Sequence, residues 1–175
     1  MKWLQKKDDG SSIAAMLEPL QQIPPEGRLT ELGIELPAPF PPAGEYVNAV
    51  RTGDLLILGG HIPFSPPETL VLGKLGADLN IEDGRRAARF AALSALATIR
   101  SMLGTLDAVK RVVLVRGVVN ATPDFVGHTQ VIDAASEVFV SVFGEAGRHA
   151  RLAVGVASLP ANLALEIEVT IEVAR

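Results

Sequence analysis

Apolar and polar residues alternate most regularly at the end of the chain. In LALEIEVTIEVA, Leu165, Ile167, Val169, Ile171 and Val173 fall on one side and Glu166, Glu168, Thr170 and Glu172 on the other. A period of two marks a strand with one buried face. The preceding stretch, RLAVGVASL, sets Leu152, Val154 and Val156 against Arg151, Ala153, Gly155 and Ala157. The link PAN between them predicts a hairpin. Pairing Ser158 with Leu163 puts Gly155 opposite Glu166, and Arg151 then shares a face with Glu166, the one turned away from the helices. At ~3.3 Å per residue these two side chains lie roughly 13 Å apart, too far for an ion pair. Gly and Ala are poor choices for a solvated strand face, so Ala153, Gly155 and Ala157 predict close approach of a second backbone, a subunit interface.

Helical periodicity occupies the middle of the chain. In NIEDGRRAARFAALSALATIRSMLG, Ala88, Ala91, Ala92, Ala95, Leu96, Ile99, Met102 and Leu103 recur at helical spacing. Asn80 is its predicted cap, and Gly104 its stop. A second helix is expected within PDFVGHTQVIDAASEVFVSVFG, with Val131, Ala135, Val138, Phe139 and Val142 as its apolar stripe. The strand VKRVVLVRGVVNAT separates the two. Upstream, EYVNAVRTGDLLILGG reads as two strands around the turn signal RTGD, and TLVLGKLG as a third, edge strand. The expected order is β-β-β-α-β-α-β-β, an α+β domain with a mixed sheet of about six strands and two helices on one face.

Residues 1–40 form a Pro-rich arm ahead of a domain spanning 41–175. Seven of the twelve prolines precede residue 45. Within the arm, SSIAAMLEPLQQ predicts a short helix capped by Ser11 or Ser12, and Arg28–Leu32 a further helical turn. Packing on the domain or on a neighbouring subunit is the expected role.

Composition removes several chemistries. There is no cysteine, so disulfides, thiolate nucleophiles and thiolate metal sites are excluded. His61, His128 and His149 are too scattered for a metal motif, and no metal or other cofactor is expected. LGGH lacks the Lys-Ser/Thr ending of a phosphate loop. A net charge of −4 and a pI near 5.4 argue against a nucleic-acid partner. No signal peptide or membrane span is evident, so the protein is expected to be cytoplasmic and to need no membrane.

Several stretches carry a resemblance: GEYVNAVRTGDLLILGGHIP, VVNATPDF, VFGEAGRHAR and VGVASLP with LEIEV. In this order, from about residue 40 to 173, the chain resembles the Rid (YjgF-like) family of reactive intermediate deaminases. Older names for the family are endoribonuclease L-PSP and translation initiation inhibitor. The segment GRHAR and the long arm suggest a divergent branch. The resemblance implies a chorismate-mutase-like fold and a homotrimer whose sheets face inward, with clefts between subunits. It further implies cofactor-free hydrolysis of 2-imino or enamine acids to 2-keto acids and ammonia.

The same resemblance assigns roles. Arg151 matches the substrate-binding arginine, and a guanidinium can hold a planar carboxylate by two bonds. A structural interface ion pair is the alternative for it. Glu166 matches the acid near the attacking water, Tyr46 the tyrosine lining the cleft, and Gly60 a residue whose backbone lines the site. Departures are also present. Ala153 stands where the family often has cysteine. Gly59, Gly60 and His61 replace Ser-Gly-Gln before Ile-Pro, and His61 could act as a local acid or base. Asp133 replaces an asparagine on the second helix, where its charge could repel an anion. A non-catalytic binder of small carboxylate metabolites uses the same clefts and is the competing reading; RNA cleavage is disfavoured by the charge.

Overall fold

The structure is a computed structural model describing residues 23–64 and 70–174. The helix expected in residues 11–22 lies outside the described residues. Five strands form one sheet: β1 (Ala49–Thr52), β2 (Leu55–His61), β3 (Val109–Asn120), β4 (Ala150–Val156) and β5 (Leu165–Val173). Three helices accompany them among the described residues: α1 (Pro25–Glu31), α2 (Ile81–Leu103) and α3 (His128–Phe143). The sheet order is β1-β2-β5-β3-β4, and only the β3–β4 pair is parallel.

The two long helices form where the sequence periodicity places them. Asn80 accepts from the Asp83 N–H while the Asp83 carboxylate accepts from the Asn80 N–H. This reciprocal cap is worth about 1 kcal/mol. Gly104 ends α2 with φ +80°, a conformation that favours glycine. The alanine face of α2 is buried, which lets it lie close on β2 and β5. The stripe Val131, Ala135, Val138, Phe139 and Val142 buries α3 against the same sheet face. Under it, Gly117 of β3 leaves room for Ile132, whose Cγ1 and Cδ1 would sit 2.5 Å from a Cβ at that position.

α1 belongs to the same core. Leu29 is buried, and the buried Arg28 donates from Nη1 to the Val142 carbonyl in the last turn of α3, 3.2 Å away. A cation at a helix C-terminus meets the negative end of its dipole. Glu26 accepts from the Leu106 N–H at 2.9 Å.

The last two strands overturn the hairpin. β4 and β5 are not neighbours; β3 lies between them. α3 carries the chain back along β3, so β4 adds to the free edge of β3 in parallel, as a helical crossover requires. The chain then passes through a 3-10 turn at Pro160–Asn162, with Ala161 and Asn162 at φ 52° and 58°, into the middle of the sheet. The expected third strand shrinks to isolated bridges, Leu72 with Leu163 and Leu75 with Leu79 and Ala121. Asn120 pins this region: its amide reaches Lys74, Asn162 and the Leu163 carbonyl.

The faces of β4 are correspondingly reversed. Arg151, Ala153 and Gly155 align with Val115, Gly117 and Val119, which face the helices. A Cβ on Gly155 would collide with the His128 ring of α3. Gly155 therefore leaves room for His128 of α3. Leu152 and Val154 point to the open face, 45% and 38% exposed. Leu55, Ile57 and Val50 extend that apolar exposure, while Arg116–Glu168 and Lys110–Glu172 ion pairs cross it. No helix among the described residues is long and apolar enough to cross a membrane.

The close packing of α3 on β3 is testable by Gly117→Val. Overpacking under Ile132 is expected to cost about 1–3 kcal/mol, read as a lower urea midpoint at an unchanged m-value. An unchanged midpoint would mean that α3 does not approach β3 this closely.

Candidate active site

The site residues expected from the sequence fall into two groups, and Arg151 and Glu166 project from opposite faces of the sheet. Tyr46, Gly60, His61 and Glu166 border one cavity of about 520 Å³. Arg151 and Asp133 lie across the sheet, between β4 and α3. Arg151 and Glu166 do not share a face.

The cavity exists because β2 is irregular near its end. The β2–β5 register shifts between Leu58 and His61, releasing Gly59 and Gly60 from regular pairing. Glu166 projects from β5 to the open face, as the alternation demands, and lies over Gly60. A Cβ at residue 60 would come within 2.8 Å of Glu166 Oε2, so glycine leaves the space that the carboxylate occupies. Burial pushes the Glu166 carboxyl above its ordinary range, and repulsion from Glu168 adds to the effect. Among the described residues, Glu166 has no hydrogen-bond partner.

Tyr46 stands at the rim. Its hydroxyl oxygen accepts from the Ala43 N–H at 3.1 Å, leaving its own proton free to donate. His61 is different from expectation. Its Nδ1 is 2.9 Å from the Gly59 carbonyl and its Nε2 2.9 Å from Thr98 Oγ1 of α2. Both nitrogens are spent on the protein, and burial lowers its pKa despite the opposing Gly59 bond. With both ring nitrogens bonded inside the protein, His61 ties the Gly59 bulge of β2 to α2.

The remaining walls were not foreseen. Phe40 and Pro41, from the Pro-rich segment, cover the cavity; Ser94 of α2 and the turn residues Pro160 and Leu163 complete it. Asn48 donates to the Phe40 carbonyl at 2.5 Å, and Phe40 stacks edge-on with Phe64 at 5.2 Å. A lone phenylalanine among prolines is the only sequence signal that this loop folds back.

On the other face, Arg151 Nη1 donates to Asp133 Oδ1 at 2.5 Å and to Ser136 Oγ at 3.2 Å. Asp133 therefore pairs with the arginine instead of standing as an isolated negative charge. The pair is partly exposed, so it contributes about 0–1 kcal/mol to stability. Its larger consequence is orientation. Nε and Nη2 of Arg151 have no partner among the described residues. Arg148 is tied to Glu145 in an exposed pair at 2.9 Å.

With this geometry in place, comparisons with known proteins are informative. Residues 26–172 match the model of the family described as "YjgF/chorismate mutase-like, putative endoribonuclease". Protein TCP17 of Trypanosoma cruzi is 43% identical over 145 residues, 82% of this chain and 91% of that protein. The crystal structure of Atu1372 from Agrobacterium tumefaciens, a protein described as of unknown function, is 37% identical. It superposes with a TM-score of 0.78 over 91% of this chain and 99% of that one. A "putative endoribonuclease" from Shewanella oneidensis is 32% identical, with a TM-score of 0.83 over 86% of this chain and 100% of that one.

The electrostatics of the cavity can be measured directly. Carboxyl carbon shifts are expected to place the Glu166 titration above that of an ordinary glutamate. Glu168→Gln is expected to move it down only part of the way, because burial is the larger cause. A Glu166 that titrates at or below the ordinary value would show the carboxylate to be well solvated or paired.

Proposed function

The chain belongs to the YjgF/chorismate mutase-like family, and from that membership we propose that it hydrolyses 2-imino and enamine acids to 2-keto acids and ammonia in clefts between copies of itself. The observation that supports this reading is the separation of Arg151 from Glu166. One sheet presents a carboxylate anchor on its helix face and a candidate base on its open face. Neither half suffices alone. A second copy that brings its β4–α3 edge to the Glu166 cavity would supply both. Exposed Leu152, Val154, Leu55 and Ile57 on the open face favour such sheet-to-sheet contact. A trimer is the assembly that the resemblance implies.

The chemistry follows from the parts. The Nε–Nη2 edge of Arg151 holds the substrate carboxylate, which fixes the imine carbon in the neighbouring cavity. Water adds to that carbon while Glu166 accepts one of its protons. The raised pKa of Glu166 suits this task, because a more basic carboxylate takes a proton from the attacking water more readily. Glu166 then passes that proton to the nitrogen of the tetrahedral adduct, takes up the proton of the new hydroxyl and delivers it to the departing nitrogen; the C–N bond breaks, ammonia leaves and the carbonyl forms. Tyr46 donates its free proton to the bound ligand, and Gly60 keeps the space beside Glu166 open.

Asp133 favours a second reading. A neutralised Arg151 attracts anions less strongly than a bare one, which suits a binder that holds a small carboxylate without turning it over. Stabilisation by 2-keto acids with no acceleration of imine decay would support that reading.

Decay of 2-iminopropanoate, generated by an amino-acid oxidase, is the assay. Glu166→Gln is expected to slow it about 10²–10⁴-fold, and Arg151→Ala to raise KM. Co-assembling equal amounts of these two impaired variants, assayed at substrate well below the raised KM, is expected to restore about a quarter of wild-type activity, the chance of an intact cleft when subunits mix at random in a closed ring. Full activity of Arg151→Ala, or no recovery on mixing, would rule out the shared cleft.

A further inference from the structure

His149, in the segment GRHAR, has no part in the chemistry above, yet its contacts are directional. Nδ1 lies 2.6 Å from the Gly147 carbonyl. A carbonyl only accepts, so Nδ1 carries a proton, and in a neutral ring Nε2 is then bare. Nε2 is 3.0 Å from Ser136 Oγ. Ser136 must donate to it. Having spent its only proton, Ser136 presents lone pairs, and Arg151 Nη1 donates to them at 3.2 Å. The same nitrogen donates to Asp133. Two acceptors on one terminal nitrogen stop the guanidinium from turning, and the fork formed by Nε and Nη2 stays uncommitted.

Neutrality of His149 is favoured by its surroundings. Burial lowers its pKa, and the charge of Arg151 lowers it further, against the opposing Gly147 bond. Phe139 packs edge-on against the ring with centroids 5.9 Å apart, which holds the imidazole plane.

We propose that Ser136 and His149 are positioning residues for Arg151. They form a one-way hydrogen-bond relay, Arg151 to Ser136 to His149 to the Gly147 carbonyl. Together with Asp133 it presents the free edge of the guanidinium to a planar carboxylate. The inference rests on the reading of Arg151 as the carboxylate anchor. Neither residue touches the substrate, so their loss weakens binding rather than the chemical step.

Two measurements on the full chain test it. Nitrogen-detected NMR of the histidine rings is expected to show His149 as the neutral Nδ1–H form. It should also show slow rotation of the Arg151 guanidinium that becomes fast in Ser136→Ala. An Nε2–H ring, or rotation unchanged by Ser136→Ala, would overturn the relay whether or not the protein is an enzyme. In kinetics, Ser136→Ala and His149→Leu are each expected to raise KM for 2-iminopropanoate about tenfold, with kcat within about twofold. The double variant should be little worse than either alone. His149→Gln, whose side-chain oxygen can accept from Ser136, should recover most of the loss. A fall in kcat with KM unchanged, or His149→Gln no better than His149→Leu, would also overturn it. If the wild-type protein neither turns over the imine nor binds 2-ketobutanoate, the deaminase reading fails, and the relay stands or falls on the NMR result.

Discussion

A strand has two sides, and the position of β4 decides which side Arg151 takes. Because α3 returns the chain to the starting end of β3, β4 joins β3 in parallel and its odd-numbered residues turn toward the helices. Glu166, an even-numbered residue of β5, turns the other way. The thickness of the sheet then separates the two groups that the proposed reaction would use. This constraint comes from chain topology alone, and it makes a cleft between subunits the economical way to unite them.

Each half is prepared differently. On the open face, the Gly59–Gly60 irregularity and the locked His61 create room, and the same enclosure raises the pKa of Glu166. On the helix face, Asp133, Ser136 and His149 restrain Arg151 through one nitrogen and leave the rest of its fork open. A bare arginine would attract anions more strongly. A paired one discriminates by geometry, since only a planar ligand that matches the free edge replaces its lost hydration well.

Much of the fold was legible locally. The Asn80 cap, the Gly104 stop, the apolar stripe of α3 and the alternation of β5 all depend on residues close in sequence, and all appear where the pattern put them. Pairing partners depend on distant residues, and there the sequence misled. Alternation in RLAVGVASL identifies two faces but not which is covered. Ala153 and Gly155 signal close approach correctly, but a helix and a second subunit leave the same signature. Reversing that face also turned Arg151 from a lone cation into the partner of Asp133. Tyr46, Gly60, His61 and Glu166, assigned to the cleft through the family resemblance together with Arg151 and Asp133, border one cavity without those two, whereas the Phe40 loop was not foreseen because nothing periodic marks it.

The most direct measurement is a crystal structure of the protein with 2-ketobutanoate bound. The expected result places the ligand carboxylate about 3 Å from Nε and Nη2 of Arg151 of one subunit, with its carbonyl carbon facing Glu166 and Gly60 of another. A ligand held by Glu166 and Tyr46 with no arginine from a neighbouring copy, or by Arg151 with no second subunit beside it, would contradict the shared cleft.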